Sequence, residues 1–204
     1  MKRIGLTGGI GCGKSTVLAL FRELGAAIVD TDQVARDVVA PGTRGLAKIV
    51  ATFGREVLLA DGSLDRAKLA ARVFQDPQAR RKLEAITHPL IRRALMLRFV
   101  RLALARVPVV IVEAPLLFET GGAGRFHETV AVIADERVIH ERLRARNGWS
   151  DDEIRARLAS QLPLAEKARR ATHVIENSGD LEAARRRVRE LMERWTGASG
   201  TAHR

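Results

Sequence analysis

The 204-residue sequence is poor in residues on which several classes of protein depend. Its single cysteine, Cys12, excludes an internal disulfide framework and leaves a metal cluster without thiolate ligands. It has no tyrosine and only two tryptophans, Trp149 and Trp195, so a surface for stacking the bases of single-stranded nucleic acid is poorly supplied. These absences disfavour both a disulfide-rich secreted domain and a single-strand binding module.

Long uninterrupted apolar runs are also missing. The most apolar region, residues 95–112, is interrupted by Arg98, Arg101 and Arg106, and the N-terminal Met-Lys-Arg leads directly into a glycine-rich loop. The sequence therefore predicts neither a signal peptide nor a membrane span. With 46% hydrophobic residues, it predicts a globular cytoplasmic protein with an inserted or appended subdomain.

Acidic residues are outnumbered, since 35 Lys and Arg against 24 Asp and Glu give a formal net charge of +11. A basic field can attract nucleic acid or small anions. Part of the arginine, such as residues 185–187, has the spacing of a solvated helix face. Arginine also makes planar two-pronged contacts with phosphate, so multiphosphate substrates account for part of the remaining excess.

The strongest motif is GLTGGIGCGKST at residues 5–16. From Gly8 its spacing fits G-x-x-x-x-G-K-[ST], the phosphate-binding loop (P-loop) between a strand and a helix. In such a loop the backbone amides cradle phosphates, Lys14 reaches the β- and γ-phosphates, and Ser15 reaches Mg²⁺. The predicted nucleotide contacts, which become ATP contacts under the family resemblance given below, are Gly9, Ile10, Gly11, Cys12, Gly13, Lys14, Ser15 and Thr16.

Cys12 lies inside this loop. The loop amides and the charge of Lys14 would lower the pKa of a thiol at this position. The favoured interpretation is simpler, a small side chain that fits the loop. Behind the loop, residues 14–24 predict a helix with one apolar stripe and Gly25 at its end. The stripe consists of Val17, Leu20, Phe21 and Leu24.

Five apolar runs alternate with helical patterns and predict the strands of one sheet. Residues 109–112 and 130–133 are apolar at every position, as expected for parallel strands covered by helices on both faces. The predicted fold is α/β, a doubly wound sheet of the P-loop NTPase type with about five mainly parallel strands. The predicted strands are residues 2–7, 27–30, 107–113, 128–134 and 172–176.

Two helical segments interrupt this core. Residues 32–106 show no convincing strand pattern and predict an inserted helical subdomain. Residues 135–170 are dense in charge, with a break at Asn147-Gly148 and a helix start at Ser150, and predict a helical lid. Residues 197–204 are small and polar and predict a disordered tail. The predicted nucleotide-binding core is residues 1–31, 107–134 and 171–196.

Asp30 and Asp32 follow the second predicted strand, at the edge where ligands bind in open α/β sheets. Phosphoryl transfer often uses an aspartate that accepts the proton of the attacking hydroxyl. Asp32 could be that base, or it could cap a helix over residues 33–39. The sequence pattern favours neither the base role nor the cap role of Asp32.

Other candidate residues have an ordinary structural explanation beside the functional one. His88, before a proline, is more often a helix start than a catalyst, and Arg92 binds an anion or is solvated. Glu113 follows the third predicted strand, where its carboxylate could hold Mg²⁺ through a water molecule. It could equally be a charged residue at the point where the chain leaves the sheet. Residues 115–118, including Leu116, form an apolar turn that could line a pocket.

Arginines crowd the predicted lid, where cations can stabilise the charge of a transferring phosphoryl group. Arg146, just before the break, is the best candidate among them. Asn177 and Gly179 follow the last strand in a loop that could meet adenine, although a plain turn explains them equally simply.

Together these segments resemble the dephospho-CoA kinase family. Cys12 and Thr31 stand where the family commonly has serine and alanine, and both are small. Glu113 and Asn147 stand where aspartate is common. The matching segments are GLTGGIGCGKS at 5–15, VDTD at 29–32, THPLIR at 87–92, PLLFE at 115–119, ATHVIENSG at 171–179, and Arg146, Asn147, Arg157 and Gln161.

The resemblance implies transfer of a phosphoryl group from ATP, with Mg²⁺, to the ribose 3′-hydroxyl of dephospho-CoA. It implies catalytic roles for Asp32, Lys14 and Arg146, with Asp32 as the base. It also implies that residues 32–106 bind dephospho-CoA and that the partners are small molecules, without nucleic acid or membrane, for a monomer or weak homo-oligomer. The implied contacts are Asp32, His88, Arg92 and Leu116 for dephospho-CoA, Asn177 and Gly179 for ATP, and Ser15 and Glu113 for Mg²⁺.

Three alternatives share some of these features. A nucleoside monophosphate kinase has the same loop, sheet and lid, but the long insertion after VDTD and the PLLFE turn favour the CoA enzyme. A regulatory GTPase would need a guanine-binding N-K-x-D, which the sequence lacks. A nucleic-acid-binding module, suggested by the charge, would bind with a steep salt dependence.

Overall fold

Residues 1–197 are described by the computed structural model of the chain. They divide between two compact units, one joining Met1–Asp30 to the residues from Ala105 onward and the other formed by Thr31–Leu104. The predicted tail, residues 197–204, lies outside the described residues except for Gly197, which ends the last helix.

The first unit contains five strands, which are β1 (Lys2–Gly8), β2 (Ala27–Asp30), β3 (Val109–Glu113), β4 (Glu128–Ile133) and β5 (His173–Glu176). They form a parallel sheet with the order β2-β3-β1-β4-β5. This order and direction confirm the predicted doubly wound α/β fold. Strand β3 begins at residue 109 instead of 107, because Pro108 has no N–H to donate to the ladder.

Nine α-helices lie within residues 1–197, and two short 3-10 helices accompany them, Arg55–Val57 and Gly122–Arg125. Helices two to five form the second unit and the others flank the sheet. The helices are α1 (Lys14–Glu23), α2 (Thr31–Asp37), α3 (Arg44–Phe53), α4 (Arg66–Gln75), α5 (Pro77–Leu104), α6 (Glu136–Asn147), α7 (Asp151–Ala159), α8 (Leu164–Arg170) and α9 (Leu181–Thr196).

The central strands are buried on both faces. Ile4, Ile111 and Val130 are inaccessible to solvent, as the continuous apolar runs predicted. Because the strands are parallel, their carboxyl ends meet at one edge. Gly8, Asp30 and Glu113 end their strands there, and Asp30 lies opposite Glu113 in the ladder. The sheet therefore presents its loops and its carboxylates together.

Helix α1 anchors the sheet to α9 through an aromatic contact. The ring of Phe21 is buried and stacks on Trp195 with 5.7 Å between centroids. The predicted stripe is wrong at Leu24, which is 42% exposed, because the helix ends at Glu23 and Gly25 turns the chain away with φ 86°. Leu18, 7% exposed, is buried instead.

Helices α3 to α5 contribute to a second apolar core that includes Ile49, Phe53 and Leu69. As predicted, this unit contains no strand among its described residues, beyond an isolated bridge between Leu58 and Leu64. Two ordinary structural explanations offered above are wrong. His88 lies inside α5, which continues through Pro89, and α2 starts at Thr31, so Asp32 belongs to its first turn and does not precede the helix.

The predicted break and helix start between α6 and α7 are confirmed. Gly148 ends α6 with a left-handed φ of 68°. The Ser150 hydroxyl then accepts from the Glu153 amide while the Glu153 carboxylate accepts from the Ser150 amide, a capping box. In the described part of the chain, no helix is both long and apolar enough to cross a bilayer.

We expect Phe21→Ala to lower the free energy of unfolding by about 3–5 kcal/mol, because it leaves a cavity beside Trp195. Leu24→Ala, three residues along, is the matched control and should cost less than about 1 kcal/mol, since Leu24 is already half in water. Urea unfolding of both variants measures the difference. Equal losses would contradict the packing described for α1.

Candidate active site

The phosphate loop joins β1 to α1 and takes its shape from glycine. Gly11 and Gly13 have φ values of 78° and 77°, a left-handed conformation that other residues rarely adopt. Gly13 immediately precedes α1, so the first N–H groups of that helix point toward the loop. A helix N-terminus of this kind is a ready-made site for an anion.

The ammonium of Lys14 lies folded against the loop. Its Nζ donates to the carbonyl oxygens of Gly8 at 3.2 Å and Gly9 at 2.9 Å. Burial lowers the pKa of Lys14, and the positive charges of Lys167 and Arg146 lower it further, while Cys12 and Glu113 oppose the shift. A partly desolvated cation beside a helix N-terminus interacts more strongly with phosphate than a solvated one would.

A cleft of about 700 Å³ opens over this loop. Glycine backbone, the α1 N-terminus, two arginines and one carboxylate line it, so its surface combines N–H donors with net positive charge. The lining residues are Gly11, Gly13, Lys14, Ser15, Thr16, Glu113, Arg142, Leu143, Ala145, Arg146, Asn177, Gly179 and Leu181.

The cleft brings together many of the predicted ATP contacts. Gly9, Ile10 and Cys12 do not line it. The Cys12 side chain is fully buried, and burial raises the pKa of its thiol more than the charge of Lys14 lowers it. The lowered thiol pKa considered above is therefore wrong, and the favoured interpretation of a small residue that fits the loop agrees with this burial.

Asn177 contacts the loop directly. Its Nδ2 donates to the Cys12 carbonyl at 2.9 Å and to the Gly13 carbonyl at 3.4 Å, and its backbone N–H donates to Ile133 at 2.9 Å. The residue is almost completely buried. Asn177 therefore fastens the end of β5 to the loop, which a plain turn would not do.

Two arginines of α6 reach the cleft, although sequence reasoning selected only one. Arg146 is exposed and its Nε donates to the Asn147 side chain at 2.9 Å. Arg142 lies one turn earlier, with Nη1 buried and without a hydrogen-bond partner among the described residues. A Cβ at Gly13 would lie 3.3 Å from this nitrogen, so the Arg142 guanidinium flanks the loop itself.

Most of the apolar side chains in the turn after β3 are buried in the protein interior. Leu117 and Phe118 are buried, whereas Leu116 is half exposed, and none of the three lines the cleft. Glu113 does line it, and its charge acts on Lys14.

In the second unit, the predicted substrate contacts lie on two helices. Asp32 is exposed in the first turn of α2. His88 and Arg92 are exposed on α5, four residues apart and so on one face of that helix.

We expect Gly13→Ala to destabilise the fold more than Gly148→Ala. Both residues have a left-handed φ, so both substitutions carry a strain of about 1–2 kcal/mol. A Cβ at Gly13 would also lie 2.1 Å from Nδ2 of Asn177, whereas nothing lies within 4 Å at Gly148. Chemical unfolding of the two variants compares them, and equal losses would mean that Asn177 does not confine the loop.

Comparisons with known proteins identify the family of the chain. The profile of the dephospho-CoA kinase family matches residues 2–183. A dephospho-CoA kinase of Anaeromyxobacter dehalogenans is 50% identical over 98% of this chain and 95% of its own length. The solved dephospho-CoA kinase of Campylobacter jejuni is 27% identical, with a TM-score of 0.69 over 96% of this chain and 98% of that one, and a Thermus thermophilus structure is 40% identical, with a TM-score of 0.81 over the same shares. The chain therefore belongs to the dephospho-CoA kinase family.

Proposed function

We propose that Lys14, Arg146 and Asp32 carry out the catalysis of this kinase. The protein phosphorylates dephospho-CoA with ATP, the last step of coenzyme A biosynthesis. The single observation that supports the assignment of the ATP site is the cleft in which Lys14, Arg142 and Arg146 surround the N-terminus of α1. Phosphoryl transfer requires little more of a protein than positioning and charge stabilisation, and this cleft supplies both.

Lys14 and the first amides of α1 bind the β- and γ-phosphates in this proposal. Arg146 adds a second cation from the end of α6, beside the Gly148 break, so that the predicted lid of residues 135–170 brings positive charge to the transferring group as it closes. Asn177 and Gly179 also line the cleft, and in this proposal they lie beside the adenine.

The oxygen donors of the cleft fit Mg²⁺. The Ser15 hydroxyl and the Glu113 carboxylate both line it, and Mg²⁺ prefers such hard oxygen ligands while keeping phosphate and water ligands. No cluster of three or more His, Cys, Asp or Glu side chains suited to a metal occurs among residues 1–197, so the nucleotide would supply the other ligands. When bound, Mg²⁺ neutralises charge on the outer phosphates.

The acceptor is the ribose 3′-hydroxyl of dephospho-CoA, and Asp32 takes its proton. Asp32 is exposed in the first turn of α2, so its carboxylate is accessible to a substrate and does not serve as the N-cap of that helix. His88 and Arg92 share a face of α5 that suits an anionic part of the substrate, and Leu116 offers an exposed apolar contact. Magnesium, these residue roles, a cytoplasmic location, the absence of nucleic-acid and membrane partners, and a monomeric or weakly associated state stay predictions.

A coupled assay of ADP release tests the function itself. We expect turnover with dephospho-CoA and little with AMP, CMP or adenosine. Turnover only with a nucleoside monophosphate would replace the proposal by a nucleotide kinase. Tight DNA binding that weakens steeply with salt would instead favour the nucleic-acid alternative.

Asp32→Asn tests the base. We expect kcat to fall by about tenfold or more, within the range of general-base catalysis, while the affinity for ATP stays nearly the same. Asp61→Asn is the control, because Asp61 is an exposed aspartate of the same unit that accepts hydrogen bonds from the nearby Ser63. An unchanged kcat in Asp32→Asn would remove this residue from the base role.

A further inference from the structure

A buried lysine lies on α8, outside the cleft. The side chain of Lys167 is 0% exposed, and its Nζ lies 2.9 Å from the carbonyl oxygen of Pro115 and 2.8 Å from Oε1 of Glu119. Burying an ammonium is costly unless it is paired and hydrogen-bonded, and here it is both. The position of Lys167 is therefore fixed by its two partners.

The Pro115 carbonyl connects Lys167 to the strand that leads into the phosphate loop. The same oxygen accepts a hydrogen bond from the Thr7 hydroxyl at 3.0 Å. Thr7 is buried and immediately precedes Gly8, whose carbonyl accepts from Lys14. One oxygen atom thus joins α8, the turn after β3 and the entrance to the loop.

The Glu119 carboxylate connects Lys167 to the chain that follows α7. Its Oε1 accepts from the backbone N–H of Leu162 at 3.2 Å. Partial burial would raise the pKa of Glu119, but the hydrogen bond and the charge of Lys167, together with backbone donors, lower it overall. Glu119 therefore stays ionised and keeps residues 162 and 167 together.

Residues 161–167 in turn contact the phosphate loop at two adjacent residues. The Ile10 N–H donates to Oε1 of Gln161 at 3.2 Å. The Leu164 side chain lies so close to Gly9 that a Cβ there would be 2.8 Å from Leu164 Cδ2. This segment therefore holds one loop amide by a hydrogen bond and the adjacent glycine by packing.

We infer that Lys167 is a positioning residue for ATP: through Pro115 and Glu119 it holds residues 161–167 against the phosphate loop, so that the loop is preformed before the nucleotide binds. The inference rests on the kinase function proposed above. A preformed loop does not have to be ordered during binding, so less of the interaction energy with ATP is lost. Lys167 also lies within electrostatic reach of Lys14.

The first test is the kinetics of Lys167→Met, which keeps an unbranched side chain and removes the charge. We expect the KM for ATP to rise by about tenfold or more, and the KM for dephospho-CoA to stay within about twofold. A role in stability alone would lower the folded fraction, and so kcat, with both KM values unchanged. Arg169→Met, which removes an exposed ion pair with Glu166 on the same helix, should change neither KM.

The second test uses Cys12, the only cysteine of the chain, as a reporter of the loop. Its thiol is buried, and a Cβ at Gly9 would lie 3.2 Å from Sγ and 2.8 Å from Leu164. We expect Lys167→Met to speed the reaction of Cys12 with a disulfide reagent such as DTNB by about tenfold or more under native conditions, because local opening exposes it. Arg169→Met should react like the unmodified protein.

The labelling experiment needs neither ATP nor turnover, so a failure of the kinase function would leave it interpretable. If Lys167→Met does not fold, Glu119→Gln takes its place, since it keeps a side-chain oxygen and removes only the charge; it should raise the KM for ATP and the labelling rate in the same direction. An ATP KM and a labelling rate both within about twofold of the unmodified protein, in a folded variant, would overturn the inference. A fall in kcat with unchanged KM values would also overturn it.

Discussion

A loop that binds phosphate with its backbone cannot fix its own conformation. Its glycines have wide backbone freedom, and its amide N–H groups must be left without protein partners so that they can bind the anion. The shape has to come from groups that hold its carbonyls and its flanks. In this protein Lys14 holds the carbonyls of Gly8 and Gly9, and Asn177 holds that of Cys12. Leu164 packs on Gly9 from outside. The rest of the site depends on this restraint, since the cleft lies directly over the loop.

The cations around the phosphate loop are accompanied by carboxylates that offset part of their charge. The positive charges of Lys167 and Arg146 both act on Lys14, which would be unfavourable without nearby carboxylates. Glu119 pairs with Lys167, and Glu113 at the end of β3 opposes the shift of Lys14. The parallel sheet makes this arrangement possible, because it delivers the end of every strand to one edge. The cations that line the cleft still outnumber its carboxylates, so a polyanion is the ligand that the cleft suits best.

How far the sequence predicted the molecule depends on how local each signal is. The loop spacing and the continuous apolar runs are local, so the fold and the position of the loop between β1 and α1 could be predicted from them. Leu24 was misplaced because periodicity does not show where a helix ends relative to the sheet. Arg142 could have been found, since it lies one turn before Arg146 on the same helix face.

The buried lysine had no such signal. Lys167 stands in a charged stretch with Arg169 and Arg170, and its partner Pro115 is 52 residues away in the chain. In a sequence, a paired buried lysine and a solvated one look alike, because the difference is made by distant residues that bring a carbonyl and a carboxylate to the same point. The role of Asp32, an exposed side chain of the second unit, stays a prediction for a similar reason.

The scarcity of aromatic residues makes the intrinsic fluorescence of this protein simple to interpret. Without tyrosine, near-ultraviolet emission comes almost entirely from two indoles in different surroundings. Trp195 stacks on Phe21 in the sheet core, whereas Trp149 follows the Gly148 break and lies 3.9 Å beneath the Arg157 guanidinium. The chain thus carries an intrinsic fluorophore for the integrity of its core and another for the conformation of the segment between α6 and α7, and each can be read alone after replacing the other by phenylalanine.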